Sequence, residues 1–120
     1  MKGIDNYFLP SDNLKKAKEF YEKIGLHLKF DFSDMGMIAF NAGNDEPAII
    51  LKDVKKFKEA KPAVWFAVDN VALEYKKMKD KGINFLSEPF NIKTGMAVEF
   101  NDPFGNKLGI TDYTNSKRGE

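Results

Sequence analysis

Leu9-Pro10-Ser11-Asp12-Asn13-Leu14 carries an apolar strand into a helix start, and Phe66-Ala67-Val68-Asp69-Asn70-Val71 does the same 57 residues later. In both stretches alternating apolar residues give way to Asp-Asn, whose side chains can accept from the unpaired N–H groups of a first helical turn. After the first pair, Leu14, Ala17, Tyr21 and Ile24 fall on one helical face; after the second, Val71, Tyr75 and Met78 do so. Gly25 and Gly82 then stand where a left-handed residue ends a helix. At the same offset Tyr21 falls on Met78, Gly25-Leu26 on Gly82-Ile83 and Leu28 on Phe85. Further along the offset becomes 59, with Gly36-Met37 on Gly95-Met96 and Leu51 on Ile110, which reads as a two-residue insertion in the second loop.

Strands flank each helix. Residues 4–9 and 63–68 precede the helices; 26–32, 37–41 and 48–52 follow the first; 83–86, 96–101 and 107–111 follow the second. Gly43-Asn44-Asp45 and Asp102-Pro103-Phe104-Gly105-Asn106 have the chemistry of tight turns between strands. The chain therefore reads as an α+β domain of two βαβββ modules, residues 1–52 and 63–113, joined by a linker over 53–62 and followed by a frayed tail over 114–120.

The 120 residues suffice for one domain, and 42% hydrophobic content with eleven Phe supports a real, ring-rich core. Nineteen basic and eighteen acidic side chains leave a net charge of +1, so no one-sign field points to nucleic acid. Lys55, Lys56, Lys58 and Lys61 cluster, but Glu59 interrupts them and they read as a solvated connector. With no Cys, disulfides, thiolate metal sites and Cys nucleophiles are excluded. No apolar signal segment or membrane-length run is found, so a cytoplasmic protein without a membrane partner is expected.

A tandem βαβββ chain of this size resembles the vicinal-oxygen-chelate superfamily of glyoxalase I, extradiol dioxygenases, fosfomycin-resistance enzymes and bleomycin-resistance proteins. The resemblance rests on Leu9-Pro10-Ser11-Asp12-Asn13-Leu14 followed by Phe20-Tyr21 and Ile24-Gly25-Leu26, on Ala67-Val68-Asp69-Asn70-Val71, and on Asp102-Pro103-Phe104-Gly105-Asn106 before the last strand. It implies that the modules face each other, each curling into half of an open barrel, with helices outside and a ligand cavity on the concave side. Such a scaffold hosts many chemistries, so it does not name the reaction.

In metal-dependent members of that superfamily four strand positions supply His or Glu ligands. Their counterparts here are Asn6, Ile50, Ala63 and Gly109, with Asp5 in place of Asn6 if the register slips by one. A divalent catalytic metal usually takes about three protein ligands. The single His27 begins a strand away from those positions and reads as a surface or rim residue. Neither a metal nor another cofactor is expected. No nucleophile elbow and no glycine-rich phosphate loop is present, so no catalytic residue is assigned.

Strand alternation sorts the remaining side chains. Val64, Phe66 and Val68 go under the helix, leaving Ala63, Trp65 and Ala67 on the cavity side, with Asn6 and Phe8 as repeat counterparts. Ile49, Leu51, Leu108 and Ile110 go to the core. Ile50, Lys52, Gly109 and Thr111 then face the cavity, as does Glu99. These eight residues, Asn6, Phe8, Ile50, Lys52, Trp65, Glu99, Gly109 and Thr111, make an apolar, aromatic pocket with few polar groups, suited to a planar or aromatic small molecule. Trp65 and Phe8 can stack on such a ligand, and Glu99 can pair with an amine or act as a base. Trp65 as a space-filler and Glu99 as a solvated strand residue are the plainer alternatives.

Leu9-Pro10 and the Trp in the fifth strand resemble the bleomycin-resistance branch, whose members are metal-free dimers that sequester a drug. Pro10 is expected to redirect the chain and favour an exchange of arms. The near-neutral charge departs from the acidic crevice a cationic drug would need. The expectation is thus a metal-independent, homodimeric small-molecule binder, with antibiotic sequestration as its most specific form. The rivals are a lyase or dioxygenase-like enzyme with displaced ligands or Glu99 as base, and a module whose concave face takes a peptide or partner.

Overall fold

The computed structural model describes residues 1–43 and 47–115. The chain divides into two compact units, Asp5–Ala63 and Met1–Ile4 with Val64 onward. Each holds one βαβββ module. The first runs β1 (Gly3–Ser11), α1 (Leu14–Lys23), β2 (His27–Phe32), β3 (Met37–Asn41) and β4 (Ala48–Asp53). The second runs β5 (Ala63–Ala67), α2 (Val71–Asp80), β6 (Phe90–Ile92), β7 (Gly95–Asn101) and β8 (Lys107–Thr111). The α+β class and the duplicated order are as the sequence reads.

In the first module the strand order is β2-β3-β4-β1, with β1 and β4 parallel and the other pairs antiparallel. In the second it is β5-β8-β7-β6, with β6–β7 and β7–β8 antiparallel. Each helix packs on one face of its own sheet. Under α1 lie Ile38, Phe40 and Leu51, with Leu9, Tyr21, Leu26 and Ile49 around them. Between α2 and its sheet, Val71, Tyr75 and Met78 of the helix pack on Val68, Val98, Phe100 and Ile110, with Phe66 and Leu108 beside them. The alternation that sent Leu51, Ile110 and their neighbours to the helix side therefore holds.

Both helices start on the Asn of their Asp-Asn pair. The Asn13 side chain accepts from the Lys16 N–H and the Asn70 side chain from the Leu73 N–H, each at 3.0 Å. Gly25 and Gly82 follow with φ of 103° and 87°, the left-handed region a side chain resists. Ile24, expected on the buried face of α1, is 56% exposed, because it is the C-cap where the chain leaves the helical path.

Four expectations are corrected. Residues 83–86 form no full strand; Phe85 makes a single bridge to Phe100, flanked by backbone bonds from Leu86 to Glu99 and from Asn101 to Asn84, and the strand that pairs with β7 is β6 at Phe90–Ile92, opposite Gly95–Ala97. The repeat offset between β3 and β7 is 60, not 59. Met37 pairs with Lys52 as Ala97 pairs with Thr111, so Ile38-Ala39-Phe40-Asn41 matches Val98-Glu99-Phe100-Asn101. Pro10 does not redirect the chain: it sits in register opposite Lys52, and β1 continues to Ser11. Asp53, expected as the first linker residue, is the last of β4. The expected turn at Gly43-Asn44-Asp45 and the tail over 114–120 lie largely outside the described residues.

A buried carboxylate organises one end of the second module. Asp112 is 1% exposed. Its Oδ2 accepts from the Val71 N–H at 2.8 Å, where α2 begins, and its Oδ1 accepts from the Met96 N–H at 2.9 Å and the Thr114 hydroxyl at 2.9 Å. A Cβ on Gly95 would stand 2.2 Å from that Oδ1, so the close approach requires glycine. Among the described residues no helix is long and apolar enough to cross a membrane.

Candidate functional site

With the helix-side residues settled, the opposite face of each sheet follows from the ladders. In the first module that face has three rows. His27, Asn41, Ala48 and Asn6 form one end; Phe30, Ala39, Ile50 and Phe8 the middle; Phe32, Met37, Lys52 and Pro10 the other end. A bulge between Leu28 and Phe30 lets Leu28 pair with Phe40 on the helix side while Phe30 and Phe32 turn to the opposite face. Their rings stack with centroids 4.7 Å apart.

Asn6, Phe8, Ile50 and Lys52 therefore share a face, as expected. The middle row is closed: Ala39, Ile50 and Phe8 are buried. Asn6 and Lys52 are half-buried. The Lys52 ammonium stands 4.5 Å from the Phe8 ring centroid and 5.0 Å from that of Phe57. Phe57 is a contributor sequence reading missed, because it lies in the connector, where no alternation marks a face. It reaches the site because Gly36, with φ of 92°, lets Lys56 and Phe57 pack within 3.0 Å of the place a Cβ would take.

In the second module Trp65, Glu99, Gly109 and Thr111 also share the face away from the helix. Three of them converge. The Trp65 indole N–H donates to Glu99 Oε2 at 3.0 Å. Glu99 pairs across the ladder with Gly109, and a Cβ on Gly109 would stand 2.6 Å from the indole. The ring thus lies across the glycine to reach the carboxylate. Lys107, two residues before Gly109 on the same face, stands 3.7 Å from Glu99 Oε1 with only 13% of its side chain exposed. Lys107 was missed although the alternation that selected Gly109 and Thr111 includes it. Thr111 is 2% exposed and tied to backbone: its hydroxyl donates to the Met96 carbonyl at 3.3 Å and its carbonyl accepts from the Val68 N–H.

The residues do not fit a divalent metal. Asn6, Ile50, Ala63 and Gly109 offer one amide among four positions. At Gly109 the indole fills the space a ligand side chain would need. The register slip that would substitute Asp5 fails, since Asp5 shares the strand face of Leu9, which packs under α1. Among the described residues no group of three or more His, Asp or Glu is arranged to hold a metal ion. His27 lies exposed at the end of β2, opposite Asn41.

The profile of the glyoxalase/bleomycin resistance protein/dioxygenase superfamily matches residues 3–110. The chain belongs to this superfamily. Among its relatives in Bacillus subtilis (strain 168), uncharacterized protein YetH is 31% identical over 114 residues, covering 88% of this chain and 94% of YetH. Uncharacterized protein YurT is 34% identical over 67 residues, 56% of this chain, and the match spans about half of YurT, 53% of its length. The crystal structure of methylmalonyl-CoA epimerase from Mycobacterium tuberculosis is similar with a TM-score of 0.70 at 14% identity, over 92% of this chain and 87% of that one. At that identity the likeness is one of fold.

Proposed function

We propose that this superfamily member is a metal-independent binder of a small, flat, largely apolar molecule, with sequestration of an antibiotic as its most specific form. What carries the reading is the packing of Trp65 on Gly109, which puts an indole where a metal-binding side chain would have to stand. The face away from the helix in each module agrees. In the first, half-buried Asn6 and Lys52 flank apolar Phe8 and Ile50; in the second, Glu99 stands beside Trp65, so each offers apolar surface with a few polar groups to orient a ligand.

A catalytic role for Glu99 as base finds less support. Both carboxylate oxygens are engaged, one by the indole N–H and one beside the Lys107 ammonium, so its lone pairs are already directed. The test is to dialyse purified protein against chelator, measure divalent metal, and titrate Trp65 fluorescence with planar small molecules. The expected result is sub-stoichiometric metal and saturable quenching by at least one compound. A stoichiometric divalent ion that survives dialysis, or no response across the panel, overturns the reading.

A further inference from the structure

One polar atom on the face opposite α1 stands out. Asn41 Oδ1 is buried and has no hydrogen-bond partner among the described residues. A buried acceptor left unmade is costly, so such atoms are normally served by protein, water or ligand. Phe40 packs under α1, so Asn41, next along β3, faces the other way. Its ladder partner on one side is Ala48, too small to reach it, and on the other His27, whose exposed imidazole stands at the sheet edge. The next residue of β2 on that face is Phe30, half-buried. The next row on that face, Ala39, Ile50 and Phe8, is buried.

We propose that His27, Phe30 and Asn41 form a subsite for a flat apolar ring bearing an N–H or O–H donor. The ring lies against Phe30 and its donor serves Asn41 Oδ1. The imidazole of His27 covers the outer edge. This rests on the proposed binding role and adds what the ligand must carry, a donor on the ring. Adjacent strands stand about 4.8 Å apart and same-face residues along a strand about 7 Å apart, so one bicyclic ring can touch both Phe30 and Asn41.

The probes are indole and 1-methylindole, the same ring with and without the N–H, titrated into labelled protein and followed by two-dimensional NMR. Indole should bind at least fivefold more tightly than 1-methylindole and shift the Asn41 side-chain amide. Asn41→Leu, which keeps the bulk and removes the acceptor, should bring the two within twofold while leaving the spectrum folded. Equal affinities in the unsubstituted protein would mean a buried water already serves the amide, and would overturn the subsite. So would a preference for indole that survives Asn41→Leu, or shifts confined to residues elsewhere. If neither ring binds, the donor-bearing ligand class is wrong, whereas the wider binding reading stands or falls on the Trp65 titrations.

Discussion

Trp65 lies so close to Gly109 that a single added methyl would stand 2.6 Å from both Cδ1 and Nε1 of the indole. The contact is between a rigid ring and backbone, so neither side yields easily. Gly109→Ala should destabilise the protein by about 1–3 kcal/mol, as overpacking does. The ring must move out, and Trp65 emission should shift to longer wavelength. Urea unfolding and emission spectra check this, and a Trp65→Ala change in the same chain should relieve the clash. An unchanged emission maximum in Gly109→Ala would contradict the packing.

Asp112 gives a pH signature. Burial alone would raise its pKa, but hydrogen bonds from the Val71 and Met96 N–H groups and from Thr114 outweigh that and hold it below the ordinary carboxylate value. A lowered folded pKa stabilises the native state above the unfolded value, near 4, and that contribution is lost as pH falls through the folded value. Stability should therefore decline below about pH 4, and Asp112→Asn should flatten that part of the curve. At neutral pH Asp112→Ala leaves three backbone donors, those of Val71, Met96 and Thr114, unmet and should cost about 2–5 kcal/mol. Urea midpoints between pH 2.5 and 7 measure both effects.

The two helix starts predict an asymmetry within each Asp-Asn pair. Asn13 and Asn70 make the capping bonds. Each Asn→Ala substitution should cost about 1 kcal/mol. Asp69 instead meets Lys2 at 3.1 Å with both side chains mostly exposed, a pair of little worth. Asp12→Ala and Asp69→Ala should thus fall within about 0.5 kcal/mol of the unsubstituted protein. Chemical denaturation of the four variants decides it; equal losses within each pair would place the cap wrongly.

The duplication was legible because caps, C-terminal glycines and strand alternation repeat the same physics twice. Face assignments for β1, β4, β5 and β8 followed from period-two patterning alone. The offset error in β3 and β7 arose because Gly36-Met37 and Gly95-Met96 match as letters, while the ladders align Met37 with Ala97. One residue of slip moves every side chain to the other face, and letters do not record that. Phe30 and Phe32 were illegible for a related reason: a bulge at Lys29 changes the phase of β2. The strand expected over 83–86 shrinks to one bridge: Phe85 meets Phe100, flanked by bonds from the Leu86 N–H to Glu99 and the Asn101 N–H to Asn84, while Phe90–Ile92 holds the neighbouring Gly95–Ala97 stretch of β7. The convergence of Trp65, Glu99 and Lys107 needed coordinates, since alternation gives a face but not which side chains on it touch.

That convergence predicts coupling. Trp65→Phe keeps an aromatic ring over Gly109 but removes the N–H that Glu99 Oε2 accepts at 3.0 Å. Glu99→Gln keeps an acceptor for the indole but removes the charge that faces Lys107 at 3.7 Å. A hydrogen bond to a charged group contributes about 1.5–3 kcal/mol, so Trp65→Phe should cost a sum in that range, part of it ring volume. Once Glu99 is Gln the bond is between neutral groups, and losing it matters less. The double variant should then be more stable than the two single losses predict, by roughly 0.5–1 kcal/mol. Urea unfolding of the four proteins gives the cycle directly. Additive losses would mean that the indole and the carboxylate are neighbours without an energetic bond, and that Glu99 is held in place by Lys107 instead.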